Sequence, residues 1–289
     1  MFTGKGGVGK TTLAAATALY FSLRGPTLLV STDPTGSLGQ IFGRNLQERE
    51  QEIYPGLSVL ELTREKVLAL WREKFADDIY TVVSSLFPVG REIIDYIEGA
   101  PGIETEFMLD YLLTALKRGD YRYLIWDTAP TASILNLLKV QLLFYAHLSQ
   151  AQRLYLRLKG LFQGADPLSL IKQWQTLTAE IIHMLKTDTA AWVVAHPEQL
   201  PVREALSLSQ ALDDFGLEVK GIILNKVLDA EVCPDCLFLE EKRKYQQFWL
   251  ETLCKETTYP VKVIPEIVGD LHNPEVLLSL AQMFLTEGT

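Results

Sequence analysis

The sequence predicts an α/β fold with a doubly wound, mostly parallel sheet, and three observations lead to this prediction. Short apolar runs alternate with longer helical patterns, as in successive β-α-β units. A glycine-rich segment near the amino terminus passes directly into a helical pattern of small residues. Two of the apolar runs lead into an aspartate, and sheets of this type place ligands at the carboxyl ends of their strands.

Six apolar runs are predicted to be strands: Leu28–Thr32, Leu57–Leu62, Tyr123–Trp126, Ala191–Ala195, Val219–Leu224 and Val261–Ile264. The length of 289 residues fits one α/β domain with insertions, spanning residues 1–289. We expect a helical subdomain built from about residues 64–105 and 131–187. Only three residues, Met1 to Thr3, precede the glycine-rich segment. We therefore expect a misassigned or shortened chain start, which we favour, or a first strand reduced to a stub.

The segment from Gly4 to Thr12 fits the phosphate-binding pattern G-x-x-x-x-G-K-[ST]. Its glycines allow backbone N–H groups to turn inward around a pyrophosphate without a clash from Cβ. Lys10 is placed to reach the β- and γ-phosphates, and the Thr11 hydroxyl is placed to bind Mg²⁺. A helix expected over Leu13–Leu23 directs its positive end at the phosphates. The predicted nucleotide contacts in this segment are Gly4, Gly6, Gly7, Val8, Gly9, Lys10, Thr11 and Thr12.

Asp33 and Asp127 are the predicted acidic residues of the site. Asp33 follows the Leu28–Thr32 run, where a carboxylate can orient a water against the γ-phosphate or hold the water shell of the metal. Asp127 ends the run Tyr123–Trp126, a pattern typical of the strand that binds Mg²⁺ through water. Each pattern alone is weak, since many turns and buried strands contain aspartate. Their order after the phosphate-binding segment favours the functional interpretation.

Three motifs together resemble the ArsA/Get family of P-loop ATPases: KGGVGKTT at Lys5–Thr12, STDP at Ser31–Pro34 and DTAPT at Asp127–Thr131. This family includes the arsenical pump-driving ATPase and the guided-entry ATPase that delivers tail-anchored membrane proteins. Pro101–Glu104 and Pro197–Glu198 look like two further segments of the family.

The resemblance implies a SIMIBI-like fold and Mg²⁺-dependent hydrolysis of ATP to ADP. Asn225 matches the family's asparagine that contacts adenine. The resemblance further implies a homodimer in which Lys5 reaches across to the partner's nucleotide. Lys5, Lys10 and Asp33 are thus the expected catalytic residues, with Asp33 activating the attacking water. Thr11, Asp33 and Asp127 are the expected Mg²⁺ site.

Departures from the family patterns do not decide whether the chain is closer to the arsenical pump-driving branch or to the guided-entry branch. The pump binds metalloid with cysteines, one of them in the segment that matches Ala100–Pro101, where this chain has none. The usual Gly-His after DTAPT is replaced here by Ala132–Ser133. In the opposite direction, Gly39–Phe42 looks more like the switch sequence of the pump.

Cys233 and Cys236 form a C-x-x-C pair, whereas the third cysteine, Cys254, stands apart. A closed structural zinc site needs four ligands, so two chains meeting at a twofold axis would complete it. The guided-entry branch carries such a pair after its adenine-contacting strand, and this resemblance favours Zn²⁺ shared across a homodimer. A redox pair and unliganded surface cysteines are the alternatives.

Three roles are open to the expected ATPase. Handling of a hydrophobic membrane-protein client is favoured by the C-x-x-C pair. The predicted helices Val67–Phe87 and Ile134–Phe162 are also rich in large apolar residues, although a plain helical core would explain these too. Driving an arsenite or other anion efflux pump is the second role. A positioning ATPase resembling the MinD/ParA group is the weakest, since Pro274–Leu285 is nearly devoid of the basic residues of a membrane anchor.

Composition bears on partners and compartment. The net charge of −9 argues against a general nucleic-acid surface. Three cysteines and the lack of a signal-peptide pattern favour a cytoplasmic location, with membrane association only through a pump or receptor. His147 and His183 are expected to be partly buried structural residues, and His196 is expected near the nucleotide.

Overall fold

The computed structural model describes residues 1–33, 36–46, 49–86, 89–99, 103–158, 168–229, 236–267, 269 and 271–285. Within these ranges, eight strands form one sheet in the order β3-β4-β2-β5-β1-β6-β7-β8. Every neighbouring pair is parallel except β3 with β4. The predicted α/β fold class is confirmed.

The strands are β1 (Phe2–Gly4), β2 (Thr27–Ser31), β3 (Gln51–Tyr54), β4 (Leu57–Glu61), β5 (Tyr123–Asp127), β6 (Ala190–Ala195), β7 (Glu218–Val227) and β8 (Val261–Pro265). The helices are α1 (Lys10–Ser22), α2 (Ser37–Ile41), α3 (Arg64–Leu86), α4 (Ile93–Glu98), α5 (Ile103–Arg118), α6 (Thr131–Leu158), α7 (Leu168–Thr187), α8 (Gln199–Phe215), α9 (Leu237–Glu256) and α10 (Pro274–Leu285).

Strand β1 is a stub of three residues, yet it lies between β5 and β6 in the middle of the sheet. Phe2 pairs with Asp127 on one side and with Trp192 on the other. The ladder continues beyond β1, since the Trp192 N–H donates to the Met1 carbonyl at 2.8 Å. These contacts fix the base of the glycine-rich loop from both sides.

Strand β3 was not predicted from the sequence. It is the antiparallel edge strand, joined to β4 by a tight turn in which Gly56 has φ +77°. Only Ile53 of its four residues is buried, so it lacks the apolar run that marks the inner strands. An edge strand of this kind depends on its hairpin partner rather than on its own composition.

The chain forms two compact units. The first comprises Met1–Glu61, Gly119–Leu135 and Thr189–Thr289 and carries the sheet. Helix α1 packs in its core, where four alanines (Ala14, Ala15, Ala16 and Ala18) are fully buried. Small side chains on several faces let this helix approach its neighbours closely and thereby fix the loop that precedes it.

The second unit comprises Leu62–Arg118 and Asn136–Asp188. Along α3, side chains one turn apart are buried: Val67, Trp71, Phe75 and Ile79. Trp71 and Phe75 meet Phe107 of α5 at ring-centroid distances of 6.1 and 4.9 Å. These contacts make an aromatic core for the helical unit.

One smaller expectation about the helical unit is wrong. His147 and His183 are exposed rather than partly buried, because each lies on the outer face of its helix. Across the part of the chain that the structure describes, no helix combines the length and apolar character needed to cross a membrane.

Candidate nucleotide-binding site

The glycine-rich loop turns sharply between β1 and α1, and two of its glycines are required by close approach. Gly4 has φ +144°, and a Cβ there would lie 2.2 Å from the Val194 carbonyl oxygen. Gly9 has φ +95°, and a Cβ there would lie 2.4 Å from Nδ2 of Asn225. L-residues rarely adopt such φ values, so both positions need glycine for conformation and for space.

Lys10 is held inside the loop. Its side chain is 4% exposed, and its Nζ donates a hydrogen bond to the Lys5 carbonyl at 3.1 Å. Burial lowers the pKa of Lys10, whereas the charges of Asp127 and Asp33 act in the opposite direction. The lysine is therefore a pre-placed cation at the first turn of α1, where the N–H groups also favour an anion.

Asp127 ends β5 with no exposed surface. Its Oδ2 accepts a hydrogen bond from the Ser31 hydroxyl at 2.9 Å, while its Oδ1 has no hydrogen-bond partner among the described residues. The pKa of Asp127 is raised to about 6, because burial outweighs the opposing effects of the Ser31 and Thr11 hydroxyls and of the Lys10 charge. A buried carboxylate with one unpaired oxygen is suited to a cation ligand.

Ser31 links the two acidic residues, a contact that sequence reasoning missed. Its hydroxyl donates to Asp127 and accepts the backbone N–H of Asp33 at 3.3 Å. Strands β2 and β5 are in register, with Ser31 opposite Asp127. The signal was present in the sequence, since Ser31 opens the motif that contains Asp33.

Glu61, at the end of β4, holds helix α2 beyond Asp33. Its Oε1 accepts the N–H groups of Leu38 at 2.7 Å and Gly39 at 3.2 Å. A carboxylate at the first turn of a helix satisfies donors that have no partner within the helix. Glu61 was also missed, because its partners are backbone groups 22 and 23 residues away and no motif marks such a contact.

Most of the predicted nucleotide contacts line one cavity of about 640 Å³ together with Asp33: Gly6, Gly7, Gly9, Lys10, Thr11, Thr12 and Asn225. Gly4 and Val8 are not part of its lining. Asn225 is 8% exposed, and its Nδ2 donates to the Val8 carbonyl at 2.9 Å, tying the end of β7 to the loop. The remaining lining residues come from α2, the segment between β5 and α6, the end of β7, the end of β8 with the segment that follows it, and α10: Ser37, Gln40, Ile41, Pro130, Lys226, Pro265, Glu266, Ile267, Leu271, His272 and Leu280. Polar loop groups thus meet an apolar side wall, as a nucleotide requires.

Lys5 lies apart from this cavity. Its Nζ is 3.6 Å from Oε1 of Glu204, and both side chains are 34% exposed. Lys5 instead lines a second cavity of about 390 Å³ together with Gly6, Gly7, His196 and Tyr245. His196 is therefore beside the phosphate-binding loop, and burial lowers its pKa.

The oxygen ligands available at the loop fit Mg²⁺. Thr11 and Asp33 line the cavity, and Asp127 is buried with one unpaired oxygen. Hydroxyl, carboxylate and phosphate oxygens are the hard ligands that this ion prefers. The roles of these residues remain predictions.

The predicted zinc pair is only half described. Cys233 lies outside the described residues, as do Pro34, Thr35 and the 100–102 segment. Cys236 is a free thiol of intermediate exposure directly before α9. Among the described residues, no group of three or more His, Cys, Asp or Glu side chains is arranged to hold a metal. A zinc shared between two chains stays a prediction.

Known proteins share this sequence pattern along most of the chain. The family of anion-transporting ATPases matches residues 1–283. A protein of Aquifex aeolicus named "Putative arsenical pump-driving ATPase 2" is 30% identical over 262 residues, covering 87% of this chain and 87% of that protein. ATPase GET3 of Chaetomium globosum is 26% identical over 309 residues, covering 98% of this chain and 88% of its own length.

The resemblance to the ArsA/Get family and the expectation of an ATPase are confirmed by these matches. Since the family model spans residues 1–283, which include the loop, Asp33, Asp127 and Asn225, this chain belongs to the anion-transporting ATPase family and is an ATPase.

Proposed function

We propose that this chain is a Mg²⁺-dependent ATPase that works as a homodimer and handles a hydrophobic segment of a membrane protein. ATP binding would close the two subunits onto each other and hydrolysis would reopen them, so that the ATPase cycle drives a movement between subunits. The observation that carries the proposal is the position of Lys5, outside the cavity of its own subunit.

Within one subunit, the described residues account for nucleotide binding and water activation. The loop N–H groups and Lys10 would hold the β- and γ-phosphates, and Asn225 would contact the base. Asp33 would orient the attacking water, its backbone fixed by Ser31. Mg²⁺, held by Thr11, Asp33 and Asp127, would neutralise the charge that develops on the phosphate oxygens.

Lys5 supports action across a dimer. Its ion pair with Glu204 is half-exposed, and pairs of this kind contribute little to stability. Lys5 can therefore leave Glu204 at little cost and meet the phosphates of a second subunit. A lysine at a partner's nucleotide would stabilise the transferring phosphoryl group as a cationic finger does.

Complementation between two inactive variants tests this arrangement. Lys5→Gln and Asp33→Asn are each expected to lower turnover by roughly 10²-fold or more. In a mixed dimer, the subunit with an intact Asp33 would receive Lys5 from its partner, so co-expression should recover about a quarter of wild-type turnover. Glu204→Gln is the matched control, because it removes the ion pair and keeps Lys5.

Two results would count against the arrangement. If Lys5 acts within its own subunit, each half of the mixed dimer lacks one catalytic group, and co-expression recovers nothing. If Glu204→Gln lowers ATP turnover as much as Lys5→Gln does, the loss of turnover reflects the disrupted ion pair and not the missing lysine.

A hydrophobic client is supported by the surface of the helical unit. Leu142 and Leu143 are consecutive in α6 and are 50% and 55% exposed. Large apolar side chains on a surface favour binding of another apolar segment. Similarity to the ATPase GET3 of Chaetomium globosum extends over 98% of this chain, so the helical unit has a counterpart in a guided-entry ATPase.

Capture of a tail-anchor peptide measures this role. A double change of Leu142 and Leu143 to Ser should reduce capture several-fold and leave ATP turnover intact. Leu23→Ser is the control, because Leu23 is 68% exposed in the sheet-bearing unit. Equal capture by all three proteins would remove α6 from the client site.

A Cys₄ zinc site between two chains remains part of the proposal. The partly exposed thiol of Cys236 and the need for four ligands support sharing. Cys233→Ser should lower zinc content and weaken dimers together, as followed by metal analysis and light scattering. One zinc ion held firmly by monomers would contradict the shared site.

The second candidate is the motor of an arsenite or other anion pump. It is favoured by the name and 30% identity of the Aquifex aeolicus relative and by the Gly39–Phe42 sequence of α2. Steady-state ATP hydrolysis with and without arsenite or antimonite separates the two. Stimulation by metalloid would favour the pump, and indifference would favour a protein client.

A further inference from the structure

We propose that Gln246 of α9 is a positioning residue for nucleotide recognition. Its amide holds the end of β7 in the shape that forms the base-side wall of the nucleotide cavity. The inference rests on the proposed nucleotide site, but no motif or family match assigns a role to this residue.

The end of β7 has an unusual backbone conformation. Lys226 has φ +63°, and in the part of the chain that the structure describes no other non-glycine residue has a positive φ. A side chain in the left-handed region is disfavoured and persists only where its surroundings impose it. Lys226 and its neighbour Asn225 both line the nucleotide cavity, so the unusual backbone coincides with the ligand site.

Gln246 supplies the surroundings that impose this conformation. Its Nε2 donates to the Lys226 carbonyl at 3.2 Å, and its Oε1 accepts the Leu228 N–H at 2.8 Å. The side chain is 5% exposed and is absent from the cavity lining. One amide thus bridges both sides of Val227 in the way a neighbouring strand would.

The same turn also carries the opposite part of the wall. Glu266, which follows β8, donates its N–H to the Val227 carbonyl at 2.8 Å. Glu266 and the adjacent Ile267 line the cavity beside Asn225. Through two backbone contacts, Gln246 therefore sets the spacing between the β7 and β8 parts of the base-side wall.

Only a side-chain amide meets both requirements. A glutamate at this position accepts from Leu228 but repels the Lys226 carbonyl, since it has no N–H to donate. A methionine of similar volume offers neither contact and leaves both backbone groups without their partner. Both changes release Lys226, whereas β1 and α1 still hold the phosphate-binding loop at its two ends.

The experiment compares a nucleotide with a phosphate chain that has no base. Binding of ADP and of inorganic triphosphate, each with Mg²⁺, is measured by calorimetry for wild type, Gln246→Glu and Gln246→Met. We expect ADP to bind roughly tenfold more weakly to both variants, and triphosphate to bind within about twofold of wild type. Gln247→Glu is the matched control, since Gln247 is exposed and its side-chain amide donates to Glu251 in the same helix.

Each outcome decides between explanations. Unchanged ADP affinity in both Gln246 variants overturns the inference. Equal weakening of ADP and triphosphate also overturns it, because a general loss of structure affects both ligands. A wild-type protein that binds triphosphate but not ADP would instead defeat the proposed nucleotide site itself. If Gln246→Glu does not fold, Gln246→Met carries the test alone.

Discussion

Replacement of Asp127 by asparagine is expected to stabilise the protein in the absence of metal. The carboxylate is fully buried with one unpaired oxygen, and burial raises its pKa from 3.8 to about 6. At 1.36 kcal/mol for each pKa unit, that rise corresponds to about 3 kcal/mol of destabilisation once the group is ionised. Asparagine has the same shape, can still accept from Ser31 and carries no charge.

The sign of the pH dependence follows from the direction of the pKa change. The folded protein holds the proton more tightly than the unfolded chain, so ionisation costs stability as pH rises from about 4 to about 6. Above that window the full cost of about 3 kcal/mol is present, and below it the cost vanishes. The variant should therefore melt several degrees higher than wild type at pH 7.5 and equally at pH 4.

Thermal unfolding with a metal chelator, followed by circular dichroism across this pH range, measures the effect. The exposed change Asp214→Asn is the control, expected to alter stability by less than about 0.5 kcal/mol. With Mg²⁺ and ADP the order should reverse, because the ion needs the charge that asparagine lacks. A stabilisation that persists at pH 4, or none at pH 7.5, would refute the electrostatic reasoning.

Three further changes probe the loop and its support. Lys10→Ala should abolish detectable nucleotide binding in a fluorescent-ADP titration, since it removes the buried cation; retained binding would show that the loop N–H groups suffice. Gly4→Ala should destabilise the protein by about 3 kcal/mol or more in denaturant unfolding, because its Cβ would meet Val194, whereas Gly6→Ala, with its nearest atom 4.0 Å away, should be much milder. Glu61→Gln should lower turnover by weakening the start of α2 and leave ADP affinity within about threefold; an unchanged rate would exclude a role for α2 in hydrolysis.

The sequence predicts most of the sheet and the phosphate-binding side of the site. The inner strands are marked by continuous apolar runs because both faces of a parallel sheet are covered. Asp127 and Lys10 are marked by spacing, since their chemistry depends on a fixed distance along the loop and strand. Such local patterns can be recognised without any knowledge of the fold.

The β7 side of the cavity and the contacts that hold α2 could not be predicted in this way. Gln246 and Glu61 bind backbone groups of distant residues. Because nearly every residue has the same backbone groups, such a partner cannot be recognised from the sequence. The positive φ of Lys226 could not be predicted either, because such values are expected at glycine or asparagine and not at lysine. The exposed Gln247 beside Gln246 illustrates the difficulty, since two identical residues differ only in which way the helix turns them.

Glu61 is the last residue of the sheet-bearing unit, and Leu62 begins the helical unit. Glu61 lies opposite Ser31 in the sheet and holds α2. A displacement of α2 on ATP binding would therefore act on the residue at which the chain passes from one unit to the other. Thermodynamic linkage makes any such coupling reciprocal. If ATP changes the affinity of the helical unit for a ligand, that ligand would change the affinity for ATP by the same factor.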